Sequence, residues 1–122
     1  MTTDAFVEAI KLYACDSAVD HTAKNLRPPP ETRPRPDLVR LSKWFNQLSV
    51  EDQSAVVDVA CEAAETAIFG VFCIIDGVRA IENSPDKGGY EIYDVKADHR
   101  QLLNDPEVGP LHDIFQSMTA RR

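Results

Sequence analysis

The feature that most constrains the fold is the apolar run Ala67–Ile75, which ends a longer segment with helical periodicity. Upstream of the run, from Val56 onward, apolar residues recur at spacings of three and four, as on one face of a helix. Residues 69–75 taken alone also suit a strand, because valine, isoleucine and phenylalanine favour extended backbone. Since the upstream periodicity continues into them without a breaker, we predict one long helix over about residues 49–76.

This apolar run is too short to cross a membrane. It has nine residues, and acidic residues flank it at Glu65 and Asp76, whereas a spanning helix needs about 20 apolar residues. A short helical segment that is apolar all round is typical of the centre of a globular fold. We therefore expect this helix to be the core element, and we expect no membrane partner.

Local signals define the two ends of the long helix. Ser49 can accept a backbone N–H at its start, and Glu51 and Asp52 in the first turn complement the helix dipole. Gly77 can end the helix in a left-handed conformation. Beyond it, residues 78–82 suit either a short strand or a last helical turn.

The remaining pattern predicts a mostly helical α+β fold in a single domain, residues 1–122. We expect two further main helices at residues 3–25 and 37–47, giving three in all. A small C-terminal hairpin follows over about residues 89–103, and Pro110 opens a short terminal helix. In the first helix, the predicted buried face consists of Phe6, Ile10, Tyr13, Ala14, Ser17 and Ala18.

A proline-rich segment, about residues 27–36, separates the first two helices. Its five prolines lack backbone donors and fix φ, so the segment is neither a helix nor an inner strand. A stiff connector is the simpler interpretation. The alternative is a docking segment for an aromatic groove, although no P-x-x-P motif is present.

The net charge of −7 disfavours nucleic acid and anionic membranes as partners and is compatible with a basic protein partner. The charge is unevenly distributed, because the segment 24–43 carries six basic residues and only two acidic ones. Arginine-rich loops can bind phosphate or carboxylate groups. Pairing with the acidic side chains of the long helix, Asp58, Glu62 and Glu65, is the more economical interpretation.

Three cysteines, Cys15, Cys61 and Cys73, are widely spaced in apolar sequence. An odd number without a C-x-x-C motif argues against a disulfide framework and favours buried free thiols in a reducing compartment. The N-terminal residues include acidic side chains and lack a basic region, unlike a signal peptide. We therefore expect a cytoplasmic protein.

The strongest charge pattern is an acidic stripe. Asp58, Glu62 and Glu65 occur at i, i+4 and i+7 on the long helix, with Glu51 one further heptad upstream, and no lysine or arginine lies between Ser49 and Gly77. The simplest interpretation is a solvated face. The functional interpretation is an electrostatic landing surface for a basic partner, and metal binding is a third.

No motif predicts catalysis. Glu62-Ala-Ala-Glu65 is similar to the E-x-x-E of helical dNTP pyrophosphatases, which hold magnesium with carboxylates from two helices, but the second motif is missing. His21, His99 and His112 have no second ligand at metal-site spacing. We predict no catalytic residues, no metal ligands and no cofactor, and we keep a small carboxylate-metal-dependent hydrolase as an alternative.

A single short acidic domain with helices, a hairpin and no catalytic motif resembles, in type, the immunity proteins of bacterial toxin–immunity systems. The resemblance implies a non-catalytic inhibitor that blocks a cognate, basic bacterial toxin. Asp58, Glu62 and Glu65 would make the contact, with Glu51 at its rim. The remaining alternative is a homodimeric scaffold or regulatory protein, in which small residues of the long helix pack against a second copy.

Overall fold

In a computed structural model, the structure describes residues 1–27 and 35–120. The predicted mostly helical α+β class is confirmed. The elements in chain order are α1 (Thr3–Ile10), a π-helical turn (Lys11–Asp16), α2 (Ser17–Leu26), α3 (Pro36–Asn46), α4 (Val50–Ile75), β1 (Tyr93–Lys96), β2 (His99–Leu102) and α5 (Leu111–Thr119). Most of the proline-rich segment, residues 28–34, lies outside the described residues.

The first predicted helix is correct in extent, but its buried face was predicted wrongly after Ile10. Tyr13 is 77% exposed and Ala14, Ser17 and Ala18 are also exposed, whereas Cys15 is buried. The cause is the π-helical turn, whose i→i+5 hydrogen bonding inserts one extra residue between two α-helical segments. On the buried face, Ile10 is therefore followed by Cys15, five residues later, and not by Ala14.

Side-chain hydrogen bonds to backbone carbonyls connect α2, α3 and α4. Ser42 Oγ donates to the carbonyl of Arg27 at 3.1 Å, and Asn46 Nδ2 donates to the carbonyl of Leu26 at 3.3 Å. Gln53 Nε2 in turn donates to the carbonyl of Phe45 at 3.0 Å. These carbonyls lie at the C-terminal ends of α2 and α3, where a helix leaves carbonyl groups without intrahelical partners. The carbonyl of Phe45 also accepts from the backbone N–H of Leu48 at 3.1 Å.

Helix α4 begins and ends as its sequence predicts. Ser49 Oγ accepts from the backbone N–H of Asp52 at 3.1 Å, and Gly77 has a φ of +80° just past the C-terminus. Residues 69–75 are helical, which decides between helix and strand for that run. Residues 78–82 are neither a strand nor a helical turn, so both alternatives for them were wrong. In the described part of the chain, no helix is long and apolar enough to cross a membrane.

The hairpin is shorter than predicted. The antiparallel register pairs Tyr93 with Leu102 and Lys96 with His99, and Ala97 turns the chain with a φ of +52°. Just before β1, the carbonyl of Ile92 still accepts from the backbone N–H of Leu103 at 2.8 Å, and the other backbone contacts of this segment are made by a side chain. Asn104 Oδ1 accepts from the N–H of Ile92 at 2.9 Å, and its Nδ2 donates to the carbonyl of Tyr90 at 2.7 Å.

The core lies where α1, the π-helical turn, α4 and α5 meet. Its buried residues are Val7, Cys15, Phe72, Leu111 and Phe115. The rings of Phe72 and Phe115 meet edge to face, with centroids 5.6 Å apart, an arrangement that adds to the effect of area burial. The C-terminal third of α4 therefore is the central element of the fold, as its uniform apolar sequence predicts.

Candidate functional site

The four residues of the predicted acidic stripe all lie on α4. At about 100° per residue they fall within an arc of about 60°, and they extend about 21 Å along the helix axis. Glu51, Asp58 and Glu62 are exposed, and Glu65 is half-buried. We call this surface the acidic face. Binding of a partner at the acidic face stays a prediction.

The acidic face continues toward the C-terminal end of α4 as a row of residues that lies against α5. Phe69 follows Glu62 by seven residues and Asp76 follows Phe69 by seven more. The ring of Phe69 packs edge-on against His112, with centroids 5.9 Å apart, and Asp76 contacts the same histidine. Helix α5 ends at Thr119. Glu65 and Glu62 lie beyond this end, so α5 does not cover this part of the row.

A groove of about 400 Å³ opens where α5 ends. Its lining residues are Glu62, Glu65, Thr66 and Phe69 from α4 and Phe115, Gln116, Thr119 and Ala120 at the end of α5. Glu62 and Glu65 give the groove its only charged side chains among the described residues. Phe69 and the buried Phe115 contribute aromatic carbon. The groove therefore combines an acidic wall with apolar surface.

Glu65 also belongs to a polar cluster beside the π-helical turn. Cys61, one turn earlier on α4, donates its thiol to Glu65 Oε1 at 3.4 Å. Across from it, Lys11 Nζ donates to Asp16 Oδ2 at 2.9 Å, a pairing that the i→i+5 geometry permits. The hydrogen bond to Asp16 is the main cause that raises the pKa of Lys11, and the charge of Glu65 adds to it.

Cys15 occupies the buried side of this cluster. Burial is the main cause that raises the pKa of its thiol, and the nearby carboxylates of Asp16 and Glu65 raise it further. A thiol with a raised pKa has little thiolate near neutral pH, so Cys15 is a poor nucleophile and metal ligand. Its geometry supports the predicted core role. In the described residues all three cysteines are free thiols; Cys15 and Cys73 are buried as predicted, whereas Cys61 is half-buried.

The basic segment 24–43 forms an ion pair locally. Arg35 Nε lies 3.4 Å from Asp37 Oδ1, with both side chains largely exposed. Exposed pairs of this kind contribute little to stability. Arg33, another of the six basic residues of this segment, lies outside the described residues. The expected pairing between this segment and the acidic face therefore stays a prediction.

In the part of the chain that the structure describes, no three histidine, cysteine, aspartate or glutamate side chains form a group able to hold a metal ion. His21 and His99 are exposed on separate elements. Both ring nitrogens of His112 contact carboxylates: Nδ1 lies 2.6 Å from Asp76 Oδ2, and Nε2 lies 3.3 Å from Asp113 Oδ1.

The contact between Asp76 and His112 is a feature that sequence reasoning missed. Besides the ring contact, Asp76 Oδ2 accepts from the backbone N–H of His112 at 2.9 Å. Asp76 thereby caps the N-terminus of α5 from the end of another helix. The residues are 36 positions apart, and no local pattern could have paired them. The one available signal was that Pro110 leaves the terminal helix without a serine, threonine, aspartate or asparagine cap of its own.

No protein-family model, curated protein or solved structure matches this chain significantly.

Proposed function

We propose that the protein is a non-catalytic binding protein that docks a basic partner protein on the acidic face of α4. In the form that the sequence favours, it is an immunity or inhibitor protein of a bacterial toxin–immunity system, and the partner is its cognate toxin. The observation that carries the proposal is the position of Glu62 and Glu65. They form both the end of a 21 Å acidic face, by about 1.5 Å rise per residue, and the wall of a groove with aromatic surface.

This combination suits basic side chains. Lysine and arginine have apolar stems and charged ends, so the stem can lie on Phe69 while the charge approaches Glu62 or Glu65. Complementary charge also accelerates encounter between two proteins, because it steers diffusion before contact. The partner we propose therefore presents lysine or arginine on a convex segment that fits the groove.

The first experiment identifies the partner. The tagged protein is used to capture proteins from lysate of its native host at low and at moderate salt, and retained proteins are identified by mass spectrometry. We expect one basic protein that is lost as salt rises, because salt screens exposed charge. Expression of that protein alone should arrest growth, and co-expression should relieve the arrest. A captured protein without toxicity would contradict the immunity role.

The acidic face is then tested with the triple variant Asp58→Asn, Glu62→Gln, Glu65→Gln. The matched control, Asp86→Asn, Asp98→Asn, Glu107→Gln, removes the same charge from exposed loop positions. At low salt we expect the triple variant to associate at least about tenfold more slowly with the captured partner. The control should stay within about twofold of the wild type. Equal rates for the two variants would refute the acidic face as the docking surface.

The groove is tested separately by filling it. Thr66 is exposed and lines the groove, so Thr66→Trp places a large side chain there. Ala67→Trp is the control, because Ala67 is exposed on the same helix, lies on the side opposite the acidic face at about 100° per residue, and does not line the groove. We expect Thr66→Trp to accelerate dissociation of the partner by at least about tenfold. Unchanged dissociation would mean that the partner does not enter the groove.

Two measurements distinguish the alternative functions. Thermal stabilisation by a divalent metal would favour the carboxylate-metal-dependent hydrolase, since a ligand stabilises the state that it binds. A solution mass of twice the chain would favour the homodimeric scaffold. We expect neither, because a monomeric inhibitor needs no metal and leaves α4 accessible to its partner.

A further inference from the structure

A second cavity, of about 390 Å³, lies at the other end of α4. Its lining includes the polar side chains of Asp76, Tyr90, Glu91 and Asn104 and the apolar side chains of Ile75 and Leu102, together with glycine and proline residues. Its volume is within the range of about 300–1,000 Å³ that is common for small-molecule sites. Its wall is mostly apolar, with one aromatic ring, and it contains few polar groups, as such sites do. This cavity is independent of the acidic face and of the proposed function.

Asp76 provides a buried carboxylate in this wall. Its side chain is 6% exposed, and Oδ2 makes both of its contacts with His112. The second oxygen, Oδ1, makes no hydrogen bond with any described residue. Since none of the fully buried side-chain polar atoms in the described part of the chain lacks a partner, Oδ1 is not fully buried, and Asp76 lines the cavity. His112 thus orients a buried carboxylate whose other oxygen is available to a ligand.

The other polar groups of the wall define the chemistry of that ligand. Glu91 adds a second carboxylate, one oxygen of which accepts from the hydroxyl of Tyr93, and none of the lining residues is basic. Both ends of the Asn104 amide are engaged by the backbone of Tyr90 and Ile92. Pro106 and Pro110 have no backbone N–H to offer. Apart from the hydroxyl of Tyr90, the polar side chains of the wall therefore present acceptors and negative charge, which a ligand with N–H donors and positive charge complements.

We propose that this cavity is a binding site for a small organic cation, a primary ammonium on an apolar body of one or two rings. The ammonium donates to Oδ1 of Asp76, and the apolar body packs among Ile75, Leu102 and the two prolines. Tyr90 adds an aromatic ring to the wall, and aromatic rings attract cations.

The experiment compares three probes that share an indole ring: tryptamine, which is a cation, tryptophol, which is neutral, and indole-3-propionate, which is an anion. Binding to the full chain is measured by calorimetry and by chemical-shift changes in ¹⁵N-labelled protein. We expect saturable binding of tryptamine, and binding of the other two at least about tenfold weaker, because they lack the charge-assisted hydrogen bond to a buried carboxylate. Shift changes should centre on Gly89, Tyr90 and Asn104.

A cavity-filling variant tests the location. A Cβ added at Gly89 would meet nothing within 4 Å, and no positive φ strains a substitution there, so Gly89→Leu can place its side chain in the cavity. Gly88→Leu is the matched control, because Gly88 does not line the cavity and its added Cβ would make only an ordinary contact with Glu82 at 3.8 Å. We expect Gly89→Leu to weaken tryptamine at least about tenfold and Gly88→Leu to change it less than about twofold.

Three results would overturn the proposal: no saturable binding of tryptamine up to about 10 mM, equal binding of the three probes, or equal tryptamine binding by the two leucine variants. Both variants retain Asp76 and its contact with His112. Their thermal unfolding is recorded first, so that any loss of binding is read from folded protein.

Discussion

The π-helical turn predicts that one residue can be deleted from the continuous helix formed by α1, the turn and α2 with little loss in the free energy of unfolding. Between Ile10 and Cys15 the buried line advances by five residues, where a regular helix would advance by four. Deleting Ala14, which is exposed, converts the turn into regular α-helix. Cys15 then follows Ile10 by four positions, and both stay on the buried side. The number of helical turns is unchanged.

The magnitude follows from what the deletion removes. The main loss is the geometry of the ion pair between Lys11 and Asp16, whose side chains are 27% and 40% exposed. An exposed pair contributes about 0.2–1 kcal/mol, and after the deletion the same two residues form an i, i+4 pair, for which about 0.3–0.5 kcal/mol is typical. No buried side chain changes its position on the helix. We therefore expect the free energy of unfolding to change by less than about 1 kcal/mol.

A deletion in α4 provides the contrast. Val71 is 50% exposed, but it lies between the buried residues Gly70 and Phe72 in a regular helix. Deleting it rotates one half of the helix by about 100° relative to the other. If the C-terminal half shifts, Phe72 leaves the core. If the N-terminal half shifts, Phe69 takes the place of Gly70, which is packed against Arg79. Losing a buried phenylalanine costs about 3–5 kcal/mol.

Urea denaturation followed by far-ultraviolet circular dichroism gives both free energies by linear extrapolation. The reasoning would be refuted if deletion of Ala14 cost more than about 2 kcal/mol, or if deletion of Val71 were equally well tolerated. Equal losses in the free energy of unfolding for the two deletions would mean that the packing of this helix requires the extra residue of the π-helical turn.

Three further predictions concern single side chains. Ser49→Ala should lower the free energy of unfolding by about 1 kcal/mol, measured by the same denaturation, because the N–H of Asp52 loses its acceptor. Gly77→Ala should cost about 1–2 kcal/mol, because a φ of +80° is unfavourable for alanine; no loss would argue against the left-handed cap. In native protein at pH 8, iodoacetamide should modify the half-buried Cys61 well before Cys15, since burial both shields the Cys15 thiol and raises its pKa. Mass spectrometry of digested samples gives the order, and equal rates would contradict the buried thiol.

Features determined by neighbouring residues could be predicted from the sequence. The cap at Ser49, the left-handed Gly77 and the extent of α4 depend on side chains within a few positions of each other. The uniform apolar character of the C-terminal third of α4 also predicted its place in the core, where Phe72 and Cys73 are buried. The acidic face depends only on helical spacing, so its geometry was predictable once α4 was assigned.

Features that depend on a choice between two acceptable local structures were not predictable. Tyr13 and Ala14 continue the helical spacing from Ile10, and only packing against α4 makes Cys15 the inward residue. A spacing of five from Ile10 to Cys15 was the one available signal, and it competes with an equally plausible spacing of four. Before β1, the extended pattern of residues 89–92 was visible, but its partners are the side chain of Asn104 and the single backbone N–H of Leu103, and not a second strand.

Asp76 shows why a locally unfavourable residue can be favourable in the fold. A carboxylate at the C-terminal end of α4 lies at the negative pole of that helix, where it destabilises. The same carboxylate lies at the positive pole of α5, accepts the backbone N–H of His112 and contacts its ring. The hydrogen bond to a charged acceptor contributes about 1.5–3 kcal/mol, more than the roughly 0.3–1 kcal/mol of an unfavourable dipole contact. The balance therefore favours Asp76 only while α5 is docked. This dependence links the order of the C-terminal helix to the end of α4. It also places the carboxylate of Asp76 in the wall of the cavity, where its second oxygen is available.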